Sequence, residues 1–169
     1  ADGLVVASPV YYASANATLI AVLDRLFYST SFDKTMKVGA SVVCARRGGC
    51  SATFDELNKY FTISNMPIAS SQYWNSIHGR GPGEAVGDAE GLQTMRVLAR
   101  NMTFLMKSIE LGKEKDETAC AALAGRLETW FMKYKASWRS ISKEGDLHHI
   151  AEIVFWYADI LRGRKPYEK

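Results

Sequence analysis

The stretch that decides the fold is Ala1-Asp-Gly-Leu-Val-Val-Ala-Ser-Pro-Val-Tyr-Tyr-Ala-Ser14. Its apolar run, residues 4–7, predicts a β-strand, and the aromatic and polar residues that follow predict a loop leading into a helix. Uninterrupted apolar runs are typical of strands inside a parallel sheet that are covered on both faces. Because the chain opens on such a strand, we expect it to be the C-terminal part of a larger domain.

Composition places the chain among ordinary globular proteins, since 47% of its 169 residues are hydrophobic and 23% are charged. The net charge of +3 is small, and the Lys and Arg residues are scattered along the chain. A nucleic-acid-binding protein would concentrate positive charge on one face. The longest apolar runs are far shorter than the ~20 residues that span a bilayer. We therefore expect neither nucleic acid nor a membrane as a partner.

The three cysteines, Cys44, Cys50 and Cys120, are too few and too widely spaced for a disulfide framework or a CxxC motif. An odd and small number of cysteines favours a reducing cytoplasm. No spacing of His, Cys, Asp and Glu indicates a metal site, and no Ser/His/Asp set or carboxylate pair indicates side-chain catalysis. We therefore expect neither a metal nor a dedicated catalytic side chain.

The next elements follow from periodicity and capping residues. Ser14 or Asn16 is expected to cap a first helix, and Val38–Ala45 reads as a second strand covered on both faces. A second helix is expected to begin near Ser51 or Thr53, because Thr53-Phe-Asp-Glu56 matches a capping box.

Further along the chain, residues 66–70 predict a third strand, and residues 71–87 predict a long loop. Asp88 is expected to cap a third helix that ends at Gly112. Its apolar stripe is Leu92, Met95, Leu98, Met102, Leu105 and Ile109. Two more helices are predicted at residues 118–138 and 146–162. The alternation of strands and helices predicts an α/β fold, a parallel sheet with helices on both faces.

These residues resemble the flavodoxin-like NADPH-dependent FMN reductases, including the iron–sulfur flavoprotein and WrbA-type relatives. The resemblance covers about residues 1–112. It is carried by the opening stretch and by the following motifs: Leu23-Asp-Arg-Leu26, Arg46-Arg-Gly-Gly49, Tyr73-Trp-Asn75, Pro82-Gly-Glu84 and Gly91-Leu-Gln-Thr-Met-Arg96.

The resemblance implies a flavodoxin-like three-layer sandwich whose sheet here lacks the family's first two strands and the phosphate-binding loop. The N-terminal cysteine cluster that distinguishes an iron–sulfur flavoprotein is also absent from this sequence. On this view residues 1–112 are the C-terminal part of an FMN-binding domain, and residues 113–169 are an extension of two C-terminal helices. The first strand would then have an unpaired edge, and we expect the isolated chain to associate with itself.

Ligands bind doubly wound sheets at the carboxyl ends of the strands. The resemblance implies that the FMN ring contacts two segments there, formed by Ser8, Pro9, Val10, Tyr11, Tyr12, Ala13 and Ser14 and by Arg47, Gly48 and Gly49. In the first segment, residues 10–13 offer backbone N–H groups and two aromatic rings. In the second, glycines allow close backbone approach, and Arg46 or Arg47 offers positive charge. Tyr73, Trp74 and Asn75 are a further candidate cover for the flavin, with ordinary packing as the alternative.

The leading functional hypothesis is an FMN-dependent NAD(P)H oxidoreductase of the flavin or quinone reductase type, present as an N-terminally truncated fragment that is not competent by itself. FMN and NAD(P)H are the expected cofactor and cosubstrate, and a homodimer or homotetramer is the expected assembly. The alternative is a non-catalytic, flavodoxin-like protein-interaction module.

Overall fold

Within the residues that the structure describes, the core of the fold is a parallel sheet of three strands in the order β1-β2-β3. The structure, a computed structural model, describes residues 1–115 and 124–129. Its elements are β1 (Gly3–Pro9), α1 (Ala17–Tyr28), β2 (Val38–Ala45), α2 (Cys50–Ile63), β3 (Ser76–His78), a 3₁₀ helix (Glu84–Gly87) and α3 (Ala89–Lys115).

The register places all three strand ends at one edge of the sheet. Pro9 at the end of β1 lies beside Cys44 of β2, and Ala45 at the end of β2 lies beside His78 at the end of β3. The segments that leave these strands therefore start next to one another, although they are far apart in sequence.

The two faces of the sheet bury two separate apolar clusters. On one face, Val6 and Val43 pack with Leu23 of α1 and with Leu57 and Phe61 of α2. On the other face, the buried residues Val38 and Ala40 of β2 pack with Leu98 of α3. Helices thus cover both faces, as predicted, and the described sheet with its helices is an α/β, flavodoxin-like arrangement of three layers.

The prediction of strands covered on both faces is right for β2 and wrong for β1. Every residue of β2 is buried or half-buried, whereas Val5 of β1 is 52% exposed. Within residues 1–115 and 124–129, β1 pairs only with β2. The Met102 and Met106 side chains of α3 reach Gly3 at the start of β1, but Val5 is left uncovered.

The third strand lies later than predicted. Residues 66–70 make only an isolated parallel bridge, between Gly39 and Ile68, and the strand itself is β3 at Ser76–His78, inside the predicted loop. Pro67 accepts a hydrogen bond from Gly39 but has no N–H to donate, so the ladder does not extend there. The apolar period of residues 66–70 reflects packing against the sheet rather than a strand.

The third helix runs past its predicted end. Asp88 caps it as expected, since its Oδ1 accepts from the N–H of Gly91 at 2.9 Å, but α3 continues through Gly112 to Lys115. Gly112 does not take the left-handed conformation that ends helices. A glycine at an exposed helical position costs only about 1 kcal/mol, so the helix continues.

The C-terminal region is described only over residues 124–129, which are helical. The predicted helices at 118–138 and 146–162 otherwise lie outside the described residues. The chain divides into two compact units, Ala1–Lys115 and Asp116–Lys169. The assignment of residues 113–169 to a helical extension stays a prediction.

Candidate functional site

Three segments meet at the carboxyl edge of the sheet, where doubly wound sheets bind their ligands. Val10, just after β1, donates its N–H to the carbonyl of Cys44 at 2.9 Å, and Gly79, just after β3, donates to the carbonyl of Ala45 at 3.1 Å. The segment after β2 lies between the other two. The structure therefore joins the two predicted ring-binding segments and adds a third.

The first segment closes into a tight two-residue turn. Tyr11 and Ser14 exchange backbone hydrogen bonds of 2.9 and 3.0 Å. Between them, Tyr12 and Ala13 have φ values of 51° and 61°. For a non-glycine residue this left-handed conformation is unfavourable by on the order of 1 kcal/mol or more, so contacts with the surrounding structure must hold it in place.

Glu56 of α2 is the side chain that anchors this turn. Its Oε1 and Oε2 accept from the Ser14 hydroxyl at 3.0 and 3.1 Å, and Oε2 also accepts from the N–H of Ala15 at 2.8 Å. The predicted capping box is therefore wrong. α2 begins at Cys50 with Gly49 as its N-cap, Thr53 lies inside the helix, and Glu56 reaches to another loop.

The hydroxyl of Ser8 is committed to the fold. It accepts from the N–H of Asn16 at 2.8 Å and donates to the carbonyl of Pro9 at 2.8 Å, and Ser8 is only 4% exposed. Asn16 in turn caps α1 by accepting from the N–H groups of Thr18 and Leu19, which settles the open choice between Ser14 and Asn16. The Ser8 side chain therefore joins the two ends of the first segment through hydrogen bonds and is not available to a ligand.

Only part of the predicted set of N–H donors is free. Val10 and Tyr11 donate within the protein, as described above. Within the part of the chain that the structure describes, no hydrogen bond uses the N–H of Tyr12 or of Ala13. The Tyr12 side chain is fully exposed and that of Tyr11 is 55% exposed. The turn thus presents two adjacent donors and two aromatic rings to solvent.

The second segment, residues 46–49, packs directly on the first. Gly49 has φ of 95°, and a Cβ added there would lie 2.9 Å from Val10 Cγ1 and 3.1 Å from Ala13 Cα. A Cβ at Gly48 would meet nothing within 4 Å. Gly49 is therefore required by the fold, whereas Gly48 leaves an open approach to the main chain. Arg46 and Arg47 are exposed beside it.

The three aromatic and amide residues before β3 separate into two groups. Tyr73 and Trp74 are 60% and 57% exposed, and their ring centroids are 5.2 Å apart. Asn75 is 1% exposed, and its Nδ2 donates to the carbonyl of Ser41 at 3.0 Å. Asn75 thus belongs to the interior and is no cover for a ligand, while the two rings stay available for that role.

The third segment brings together residues that the sequence reading did not single out as a site. The Nε2 atom of His78 lies 3.9 Å from Cys50 Sγ, and its Nδ1 lies 3.6 Å from Asp88 Oδ2. Asp88 also accepts from the N–H of His78 at 2.8 Å. In sequence these three residues are 10 to 38 positions apart, and no local motif links them.

The ionisation of Asp88 makes the stability of the folded chain depend on pH. Hydrogen bonds from the N–H groups of Gly91 and His78 hold the pKa of Asp88 below its ordinary value of 3.8. A lowered pKa in the folded state adds stability above the unfolded pKa, and that stability is lost as the pH falls through the folded pKa.

We expect the Asp88→Asn variant to unfold more easily than the original chain at pH 7. The difference in melting temperature between the variant and the original chain should disappear below about pH 4. A difference that stays the same at every pH would contradict this prediction.

The described residues also bear on metals and membranes. No group of three or more His, Cys, Asp or Glu side chains within them could hold a metal ion. None of the helices in the described ranges is both long and apolar enough to cross a bilayer.

Comparison with known proteins finds a flavin reductase family and individual flavoproteins. Residues 1–80 match the family described as NADPH-dependent FMN reductase. An iron–sulfur flavoprotein of Methanocaldococcus jannaschii is 30% identical over 118 residues, which are 65% of this chain and 61% of the relative. An iron–sulfur flavoprotein of Methanosarcina thermophila is 30% identical over 119 residues, 68% of this chain and 61% of the relative. The chain thus spans less than two thirds of these relatives.

Among solved structures, the chain is similar to RosB, crystallised with the bound intermediate 8-demethyl-8-formylriboflavin-5′-phosphate. The TM-score is 0.53 at 17% identity, over 76% of this chain and 56% of RosB. At this identity the likeness supports the fold alone, and it agrees with the flavodoxin-like arrangement described above.

Proposed function

Residues 1–80 match the NADPH-dependent FMN reductase family, and we propose on that premise that the chain belongs to this family and supplies the ring-binding edge of an FMN-dependent NAD(P)H oxidoreductase. The observation that carries the proposal is the pair of N–H groups at Tyr12 and Ala13 that no hydrogen bond uses among the described residues; Ala13 packs on Gly49, next to the open backbone of Gly48. Backbone donors and an uncovered glycine suit a flat ligand with hydrogen-bond acceptors along its edge.

In this proposal each segment has one task. The N–H groups of Tyr12 and Ala13 donate to the carbonyl-bearing edge of the flavin ring and stabilise negative charge there, as preorganised donors do. The Tyr11 or Tyr12 ring lies against one face of the flavin. Gly48 lets the main chain approach it. The bound flavin supplies the electron-transfer chemistry that amino-acid side chains lack.

Positive charge at the second segment fits the anionic cosubstrate. Arg46 and Arg47 are exposed, and neither guanidinium forms an ion pair within residues 1–115 and 124–129. Each is therefore free to attract the phosphates of NAD(P)H or to favour a reduced, negatively charged flavin. This assignment of NAD(P)H as cosubstrate, with a flavin, quinone or similar acceptor, is part of the proposal.

The test separates ring binding from phosphate binding. The 169-residue chain is titrated with FMN and with riboflavin, which lacks the phosphate, while flavin fluorescence is followed. We expect both to bind with similar affinity, because the proposed contacts are all to the ring. Added NADPH is not expected to bleach the bound FMN, because this chain is expected not to be a competent enzyme by itself. Failure of both flavins to bind would overturn the proposal and favour the protein-interaction module.

We also propose that the chain forms a homodimer or homotetramer, because β1 is an edge strand of the described sheet and carries the exposed Val5. Apolar edge strands promote association, and a lysine on the edge opposes it. Val5→Lys is expected to shift the chain toward the monomer in sedimentation velocity. The matched control is Val86→Lys, at a side chain that is 75% exposed on the 3₁₀ helix. Equal effects of the two substitutions would contradict the role of the β1 edge.

A cytoplasmic location is part of the same proposal. Within the part of the chain that the structure describes, Cys44 and Cys50 form no disulfide, as expected of a protein in a reducing compartment.

A further inference from the structure

A thiol, an imidazole and a carboxylate stand in a row beside the proposed flavin edge. Cys50 is the first residue of α2, directly after Gly49, and its Sγ lies 3.9 Å from His78 Nε2. The other ring nitrogen of His78 lies 3.6 Å from Asp88 Oδ2. A nucleophile within reach of a base, with the base oriented by a third group, is the general signature of an activated side-chain nucleophile.

The carboxylate in this row is fixed and charged. One oxygen of Asp88 accepts from the N–H of His78 at 2.8 Å and the other accepts from the N–H of Gly91 at 2.9 Å. A Cβ at Gly91 would lie 2.5 Å from Asp88 Oδ2, so only glycine leaves room for the carboxylate. The anion is held to the backbone of His78 and lies 3.6 Å from its Nδ1, where its charge can stabilise the imidazolium.

The thiol needs this base. Burial, and to a lesser degree the neighbouring Cys44, raises the pKa of the Cys50 thiol above its ordinary value. Cys50 therefore holds its proton at neutral pH, and it becomes a nucleophile only when a neighbour takes that proton. His78 is the neighbour within reach.

The imidazole is also reachable from solvent. The side chain of His78 is 47% exposed and lines an open pocket of about 440 Å³. Arg46 and Arg80 line the same pocket, and within the described ranges neither guanidinium forms an ion pair. Glu84 in this pocket is occupied by the N–H groups of Arg80 and Gly81. Free positive charge here suits a carbonyl oxygen that becomes negative during reaction.

We propose that Cys50 is a reactive thiol that adds to α,β-unsaturated carbonyl compounds, quinones included, with His78 as the base and Asp88 as a positioning residue. The sulfur forms a bond to the β-carbon while the carbon–carbon π bond breaks and its electrons move to the carbonyl oxygen. His78 takes the thiol proton and returns it to the resulting enolate. The adduct is a thioether, and no external oxidant or reductant is consumed.

The proposal needs no flavin, so its test is independent of the proposed function. The full chain reacts with N-ethylmaleimide from pH 5 to 9, and peptide mapping by mass spectrometry gives a separate rate for each cysteine. We expect the Cys50 rate to rise with pH and then to level off within this range, once the base has lost its proton. The rate at Cys44 serves as the internal reference and should keep rising with pH across the whole range, as for a thiol without a base.

The charged side chains around His78 are the same in the original chain and in the His78 variant. They are Arg46, Arg80, Glu84, Asp88 and Glu90, which line the two pockets next to His78. The titratable thiol of Cys50 faces His78 from α2. His78→Gln should lower the Cys50 rate at pH 7.5 at least about tenfold and abolish its plateau, since a positioned base contributes at least this much.

A matched pair of glycine variants tests the carboxylate without touching the thiol or the imidazole. Gly91→Ala crowds Asp88 and the backbone of Ile77 beside His78, and it should lower the Cys50 rate. Gly87→Ala, where an added Cβ meets nothing within 4 Å, should not. Far-UV circular dichroism checks that each variant is folded. A Cys50 rate that follows the Cys44 profile, or one that His78→Gln leaves unchanged in the folded protein, overturns the proposal.

Discussion

Gly49→Ala is expected to lower the free energy of unfolding by about 2 kcal/mol or more and to abolish flavin binding. At φ of 95° an alanine is strained, and its Cβ would press within 2.9 Å of Val10 Cγ1 and 3.1 Å of Ala13 Cα. Both contacts belong to the first segment, so relief of the clash displaces the turn that presents the free N–H groups. Urea unfolding followed by circular dichroism measures the loss of stability.

The neighbouring glycine provides the matched control. Gly48→Ala places its Cβ in open space and should leave the free energy of unfolding nearly unchanged. If the flavin ring approaches the backbone there, the same methyl group should weaken FMN and riboflavin binding about tenfold, or 1.4 kcal/mol. A Gly48→Ala protein that binds both flavins normally would contradict the contact at Gly48 while leaving the fold argument at Gly49 intact.

Glu56→Ala is expected to have the second large effect, a loss of about 2–3 kcal/mol, because hydrogen bonds to charged groups are worth more than neutral ones. The carboxylate holds both the Ser14 hydroxyl and the Ala15 N–H. Without it, the strained turn at Tyr12 and Ala13 loses its anchor. Hydrogen exchange at the N–H groups of Tyr11 and Ser14, which close the turn, should accelerate.

The control for Glu56 is its exposed neighbour on α2, Asp55. Asp55→Ala removes the same kind of group from the same helix and should change neither the exchange rates nor flavin binding. Equal effects of Asp55→Ala and Glu56→Ala would show that the charge of α2 matters rather than the contact to Ser14. Glu56→Gln should lie between, because the amide oxygen still accepts one of the hydrogen bonds.

Local signals predicted the elements well where the pattern was strong. The eight small and β-branched residues of β2 were placed at their observed limits, and the apolar stripe from Met95 to Ile109 packs as expected. Signals that rest on one or two residues did worse. Gly112 failed to end a helix, and Thr53 and Glu56 matched a capping box by composition while the helix began three residues earlier.

The sequence alone determined the parallel α/β class, the position of β2 and the two segments at the strand ends, because apolar period and turn chemistry are local properties of the chain. Only the tertiary structure decided which donors are free. The N–H group of Val10 donates to β2 and that of Tyr11 donates within the turn. Glu56, which anchors the turn, lies 42 residues after Ser14 in sequence. The same is true of the row formed by Cys50, His78 and Asp88. Its members come from three elements whose approach depends on the pairing of β2 with β3, a contact that no local pattern encodes.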